Sequence, residues 1–87
     1  MKRGSKMKKQ LKFINVSDVA NFVNIGLGVP FDITAGKGRY VVDGKSLMGI
    51  LSLNLSDPVT IEYDENDSRC TEEIESAFLE KIKNYII

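Results

Sequence analysis

The sequence predicts an α+β open-faced sandwich: a four-stranded antiparallel sheet with three helices on one face, in the order β-α-β-β-α-β-α. Three observations carry this prediction. Four short segments alternate apolar and polar residues, as half-buried strands do. Two longer segments repeat apolar residues at helical spacing, and a third, short one follows a serine suited to capping. The chain has 87 residues, enough for one hydrophobic core and near the lower end of what such a core stabilises.

Leu11 and Phe13 alternate with Gln10 and Lys12, predicting a first strand over Lys9 to Ile14. Ser17 offers an N-cap hydroxyl and Asp18 a first-turn acid, so a helix is expected over Asp18 to Leu27, with Val19, Phe22, Val23 and Gly26 inward. Gly28 and Pro30 stop it. Phe31, Ile33 and Ala35 alternate with Asp32 and Thr34, Gly36-Lys37-Gly38 turns, and Arg39 to Val42 is rich in strand formers, which together read as a hairpin. Asp43-Gly44 ends it, and Ser46 caps a short helix over Leu47 to Leu53. After Asp57-Pro58, Val59, Ile61 and Tyr63 alternate in a fourth strand. A last helix begins near Cys70 or Thr71, with Thr71 as cap, glutamates 72, 73 and 75 at its positive end, Lys81 and Lys83 at its negative end, and a stripe of Ile74, Phe78, Ile82 and Tyr85.

Composition narrows the function classes. The single cysteine excludes an intramolecular disulfide and any cluster of thiols for a metal, and a reducing cytoplasm fits best. No apolar run is long enough to span a bilayer, so membrane insertion is not expected. Net charge is zero but uneven: half of the twelve basic residues fall in the first twelve positions, and nine of the twelve acidic ones lie between Asp57 and Glu80. The basic start reads as solvated lysines, since no RNA-binding aromatic motif or zinc-finger spacing accompanies it. Met7 is a candidate internal start; residues 1–7 are expected to be a disordered or appended tail, and 8–87 a single domain.

The short helix is too apolar for its size. Leu47, Met48, Ile50, Leu51 and Leu53 crowd seven positions, and at about 100° per residue they cannot all meet one sheet. Ile50 and Leu53 fall on one side, and Leu47, Met48 and Leu51 on another. Such a patch is commonly a partner-binding surface, and the pliant Met thioether suits one. Gly49 weakens a helix interior by roughly 0.5–1 kcal/mol relative to Ala, which points to a close approach there by a strand or a partner.

The run Lys45-Ser46-Leu47-Met48-Gly49-Ile50-Leu51-Ser52-Leu53 closely resembles the Lys-Ser-Ile-Met-Gly-Val-Met-Ser-Leu signature of the histidine phosphocarrier (HPr) family. The similarity continues into Val59-Thr60-Ile61 and, with the same element order, covers the chain from about Lys8 to Tyr85. The resemblance implies that Ser46 matches the serine phosphorylated in Gram-positive members by an ATP-dependent HPr kinase. It implies that Leu47, Met48 and Leu51 match the surface that docks phosphotransferase enzymes, that kinase and a catabolite-control repressor. The phosphocarrier motif, Gly-Ile/Leu-His-Ala-Arg-Pro, has no counterpart, because the chain contains no histidine. Aligned through the first helix, Asn15 stands at about the histidine's position, followed by neither arginine nor proline. A carboxamide nitrogen is not nucleophilic, so Asn15 cannot accept a phosphoryl group as imidazole does.

Other chemistry finds little support. Asp18 reads as a first-turn acid and not an acyl-phosphate site, and Cys70 lacks a histidine or basic cluster to activate it. Asp57, Asp64, Glu65 and Asp67 lack the spacing of a calcium loop, and Gly36-Lys37-Gly38 is too short to cradle phosphate. No metal site, cofactor or enzymatic activity is expected. The expected function is that of a non-catalytic HPr-like regulatory or interaction domain of bacterial sugar phosphotransfer or carbon catabolite control, acting through the helix after Ser46. A first alternative is a kinase substrate switched by phosphorylation at Ser46. A second is a diverged structural or nucleic-acid-associated domain, whose binding would be salt-sensitive and would depend on residues 1–9.

Overall fold

The structure is a computed structural model and describes residues 6–87. In chain order the elements are β1 (Lys6–Leu11), α1 (Val16–Leu27), β2 (Thr34–Lys37), β3 (Tyr40–Asp43), α2 (Leu47–Leu51), β4 (Val59–Asp64) and α3 (Glu72–Ile82), with a closing 3-10 turn at Lys83–Tyr85. All neighbouring strands are antiparallel, and the sheet order is β1-β4-β2-β3. The predicted open-faced sandwich is the observed fold.

The helices lie against one sheet face. On β4, Val59, Ile61 and Tyr63 are buried beneath them while Thr60, Glu62 and Asp64 alternate outward. An aromatic cluster joins the layers: the Phe78 ring on α3 meets Phe31 and Tyr63 edge-on at centroid distances of 5.8 and 5.7 Å. Phe22 of α1 approaches the same ring. The Tyr63 hydroxyl donates to Glu75 Oε2 at 2.7 Å, so the buried phenol is satisfied, and burial followed by the adjacent carboxylate pushes its pKa well up.

Several boundaries differ from expectation. The first strand runs from Lys6 to Leu11, not Lys9 to Ile14, and pairs Lys6 with Asp64 and Met7 with Tyr63. Lys6 and Met7 therefore belong to the sheet, not to a tail, while residues 1–5 lie outside those described. Pairing with β4 decided this, where alternation alone weighed only the chain's own apolar residues. The α1 cap is Asn15, not Ser17: its Oδ1 accepts from Asp18 N–H at 2.9 Å, and Asp18 Oδ2 accepts from Ile14 N–H at 2.9 Å. That reciprocal pair starts the helix at Val16, two residues before the predicted start. The second strand begins at Thr34, because Phe31 and Ile33 enter the core from the loop before it. The short helix stops at Leu51, and Leu53 is buried just beyond it. Tyr85 falls in the 3-10 turn and packs its ring against Phe13 at 5.8 Å. Thr71 caps α3 as expected, accepting from Ile74 N–H at 3.2 Å.

Candidate functional site: the Ser46 turn and the exposed face of α2

Residues 43–46 form a turn fixed by hydrogen bonds within itself and to Ile33, Val29 and Gly49. Gly44 N–H donates to Ile33 carbonyl at 2.8 Å, extending the β2–β3 pairing by one residue. Asp43 accepts twice, from Lys45 N–H through Oδ1 at 2.9 Å and from Ser46 N–H through its carbonyl at 3.1 Å. Lys45 Nζ reaches across to the Val29 carbonyl at 2.8 Å, placing a cation beyond the C-terminal end of α1, which has no basic residue in its own last turn. Ser46 Oγ then accepts from Gly49 N–H at 3.0 Å and caps α2. Such a cap is worth about 0.5–2 kcal/mol.

This turn sets the roll of α2. Ile50 is fully buried and Leu53 nearly so, which leaves Met48 78% exposed and Leu47 37% exposed. Leu51 is different: it is half-buried and packs against the core, so the outward patch is centred on Leu47 and Met48. The close approach at Gly49 is made by a strand of the chain itself. A Cβ there would stand 3.3 Å from Val42 Cβ and 3.2 Å from Ser46 Oγ.

Asn15 lies at the opposite end of α1. Lys45, next to Ser46, touches the C-terminal end of that helix, whereas Asn15 caps its N-terminus. The twelve residues between span about 18 Å at 1.5 Å per residue. The two positions therefore do not share one reaction centre. Around Asn15 the sequence reading missed two exposed apolar side chains, Ile14 and Val16, 80% and 58% exposed. They flank a groove of about 420 Å³ that also involves Leu55 and Ser56, just after α2. The signal was available for Ile14, which is out of phase with the inward Leu11 and Phe13.

The remaining titratable groups are spread over the surface. Arg69 hydrogen-bonds Asp67 and holds its carboxyl down at about 2. Cys70 is half-buried, and burial followed by nearby carboxylates raises its thiol pKa, which disfavours the reactive thiolate. Among the described residues no group of histidine, cysteine and carboxylate side chains is arranged to hold a metal, and no helix is long and apolar enough to cross a membrane.

Sheet order, helix placement and the capped, outward-facing α2 together define an HPr-like open-faced sandwich. No protein-family model matches the sequence, and no curated protein matches it. Among solved structures, the chain is similar to the crystal structure of a phosphocarrier protein HPr from Bacillus anthracis str. Ames, with a TM-score of 0.61 and 25% identity over 88% of this chain and 94% of that one.

Proposed function

We propose that this chain is a non-catalytic regulatory or interaction domain linked to bacterial sugar phosphotransfer or carbon catabolite control, docking protein partners through Leu47, Met48 and Leu51. The observation that carries the reading is the exposure of Met48 and Leu47 on a helix whose opposite side is fully packed. A long apolar side chain held outward on a rigid turn favours association over folding. The resemblance to HPr supplies the kind of partner. The absence of histidine removes the phosphocarrier chemistry, and Asn15 and Asp18 spend their side-chain oxygens capping α1. Titration of isotope-labelled protein with a phosphotransferase enzyme, an HPr kinase and a catabolite-control repressor tests this. Amide shifts should move at Leu47, Met48 and Leu51, and Met48→Asp should weaken binding about tenfold or more with the fold intact. Unmoved shifts with all of these partners would refute docking.

A second reading makes Ser46 the acceptor of a kinase. It is favoured by the half-exposed position of this hydroxyl at the start of α2, where its oxygen already receives a backbone N–H. Phosphorylation there adds roughly −1.5 to −2 charges beside the positive helix end and next to the docking residues. Incubation with HPr kinase and ATP should add one phosphate to the intact mass, and Ser46→Ala should abolish the gain. A gain that survives Ser46→Ala would move the modification elsewhere.

A further inference from the structure

The two edges of the sheet are treated differently. The β1 edge carries Lys6, Lys8 and Lys9 and is covered over its second half by the chain's C-terminal segment: Ile87 N–H donates to Gln10 carbonyl at 3.0 Å, Lys12 N–H donates to Tyr85 carbonyl at 2.8 Å, and Leu11 bridges Ile86. Lysines and a covering segment are the usual protection of an open edge. Among the described residues, the β3 edge has neither. It presents Tyr40 and Val41, 75% and 65% exposed, on a strand paired on one side only.

The hydrogen-bonding phase of that edge follows from the hairpin. Lys37 and Tyr40 close a two-residue loop, with Gly38 at φ +62°, so they exchange both backbone bonds. Tyr40 and Val42 therefore bond inward to β2, a phase that the Gly44-to-Ile33 bond continues. Val41 and Asp43 turn their backbone groups outward. Side chains alternate the other way: Val42 lies beneath Gly49 on the helix side, with Tyr40, while Val41 and Asp43 stand on the open face.

We propose that β3 is a self-association edge, pairing antiparallel with β3 of a second copy about a two-fold axis at Val41. In this register Val41 faces Val41, Arg39 faces Asp43 of the second copy, and Asp43 faces its Arg39. Tyr40 meets Val42 of the second copy at the mouth of the groove of about 550 Å³ between β3 and Leu53. Val41 of each copy exchanges N–H and C=O, and each Asp43 adds its N–H, since its carbonyl is already taken by Ser46. Sliding by two residues one way would set Arg39 against Lys45 and Val41 against Asp43. Sliding the other way would set Val41 against Arg39 and carry Asp43 past the hairpin turn, off the end of β3. The Val41 register is therefore the one that pairs both charges within the strand. The pairing is independent of the docking function proposed for α2.

Sedimentation of the full chain from micromolar to millimolar concentration should show the mass rising toward twice 9.7 kDa. Arg39→Asp and Asp43→Arg should each weaken the dimer about tenfold, since each places two like-charge pairs across it. An equimolar mixture of the two variants restores opposite charges at both positions and should dimerise at least as well as the native chain. Asp43 also supports the Ser46 turn, so the register has a second readout. Val41→Cys in a Cys70→Ser background should form an intermolecular disulfide under mild oxidation, because Cα atoms of a hydrogen-bonded pair lie about 5.5 Å apart. A chain monomeric at millimolar concentration, or a mixture no more dimeric than its components, overturns the proposal.

Discussion

Replacing Phe78 by Ala is expected to destabilise the domain by about 3–5 kcal/mol. The ring is 1% exposed and stands where all three layers of contact meet: Phe22 from α1, Phe31 from the loop before β2 and Tyr63 from β4. Two of those contacts are edge-on at 90°, a geometry that adds about 0.5–1.5 kcal/mol beyond burial for each pair. No neighbour can collapse into the space without leaving its own site, because Phe31 and Tyr63 are anchored in loop and sheet. A domain of this size should lose on the order of 20 °C in Tm, measured by thermal denaturation followed by circular dichroism. A drop of only a few degrees would mean that the aromatic cluster is not the centre of the core.

The second large effect is expected at Gly44, where even a methyl group has no room. A Cβ would lie 2.7 Å from Ile33 Cγ2 and 3.0 Å from the Ile33 carbonyl oxygen, the acceptor of Gly44's own hydrogen bond. Gly44→Ala must push β3 and the turn away from Ile33, at a cost of about 1–3 kcal/mol. The displaced segment carries Ser46, so the consequence is local as well as global. Amide resonances of Ser46 and Gly49 should shift, and the partner binding proposed for α2 should weaken although none of the patch residues has changed. A variant of native stability with unmoved Ser46 and Gly49 signals would refute the tight approach.

These two positions illustrate how far the sequence reaches. Element order, the caps at Ser46 and Thr71, and the inward set Val19, Phe22, Val23, Phe78 and Ile82 were legible because each depends on short-range periodicity or a local side-chain-to-backbone bond. The capping of α1 was misassigned by two residues for a related reason. Asn15 and Ser17 are both good caps, and the choice between them rests on the bond that Ile14 N–H donates to the Asp18 carboxylate, which depends on the chain's direction as it leaves β1. The extent of β1 was hidden because Lys6 and Met7 are strand residues only through their partners Asp64 and Tyr63, distant in sequence.

The apolar crowding of residues 47–53, the absence of histidine and the similarity of Lys45 to Leu53 to HPr were determined by the sequence alone. They singled out the short helix after Ser46 and excluded histidine chemistry. Tertiary structure decided which side of that helix is free. Ile50 and Leu53 went inward, Leu51 became a half-buried flank, and Met48 was left outward, because Gly49 lets α2 rest directly on Val42 and Lys45 ties the preceding turn to α1. It also set Asn15 and Ser46 at opposite ends of α1, and among the described residues it left β3 as a bare edge while the C-terminal segment covered β1. Local patterns specify what each segment prefers to bury. Which surface remains after all segments have packed is a property of their shared contacts, and only the folded chain has those.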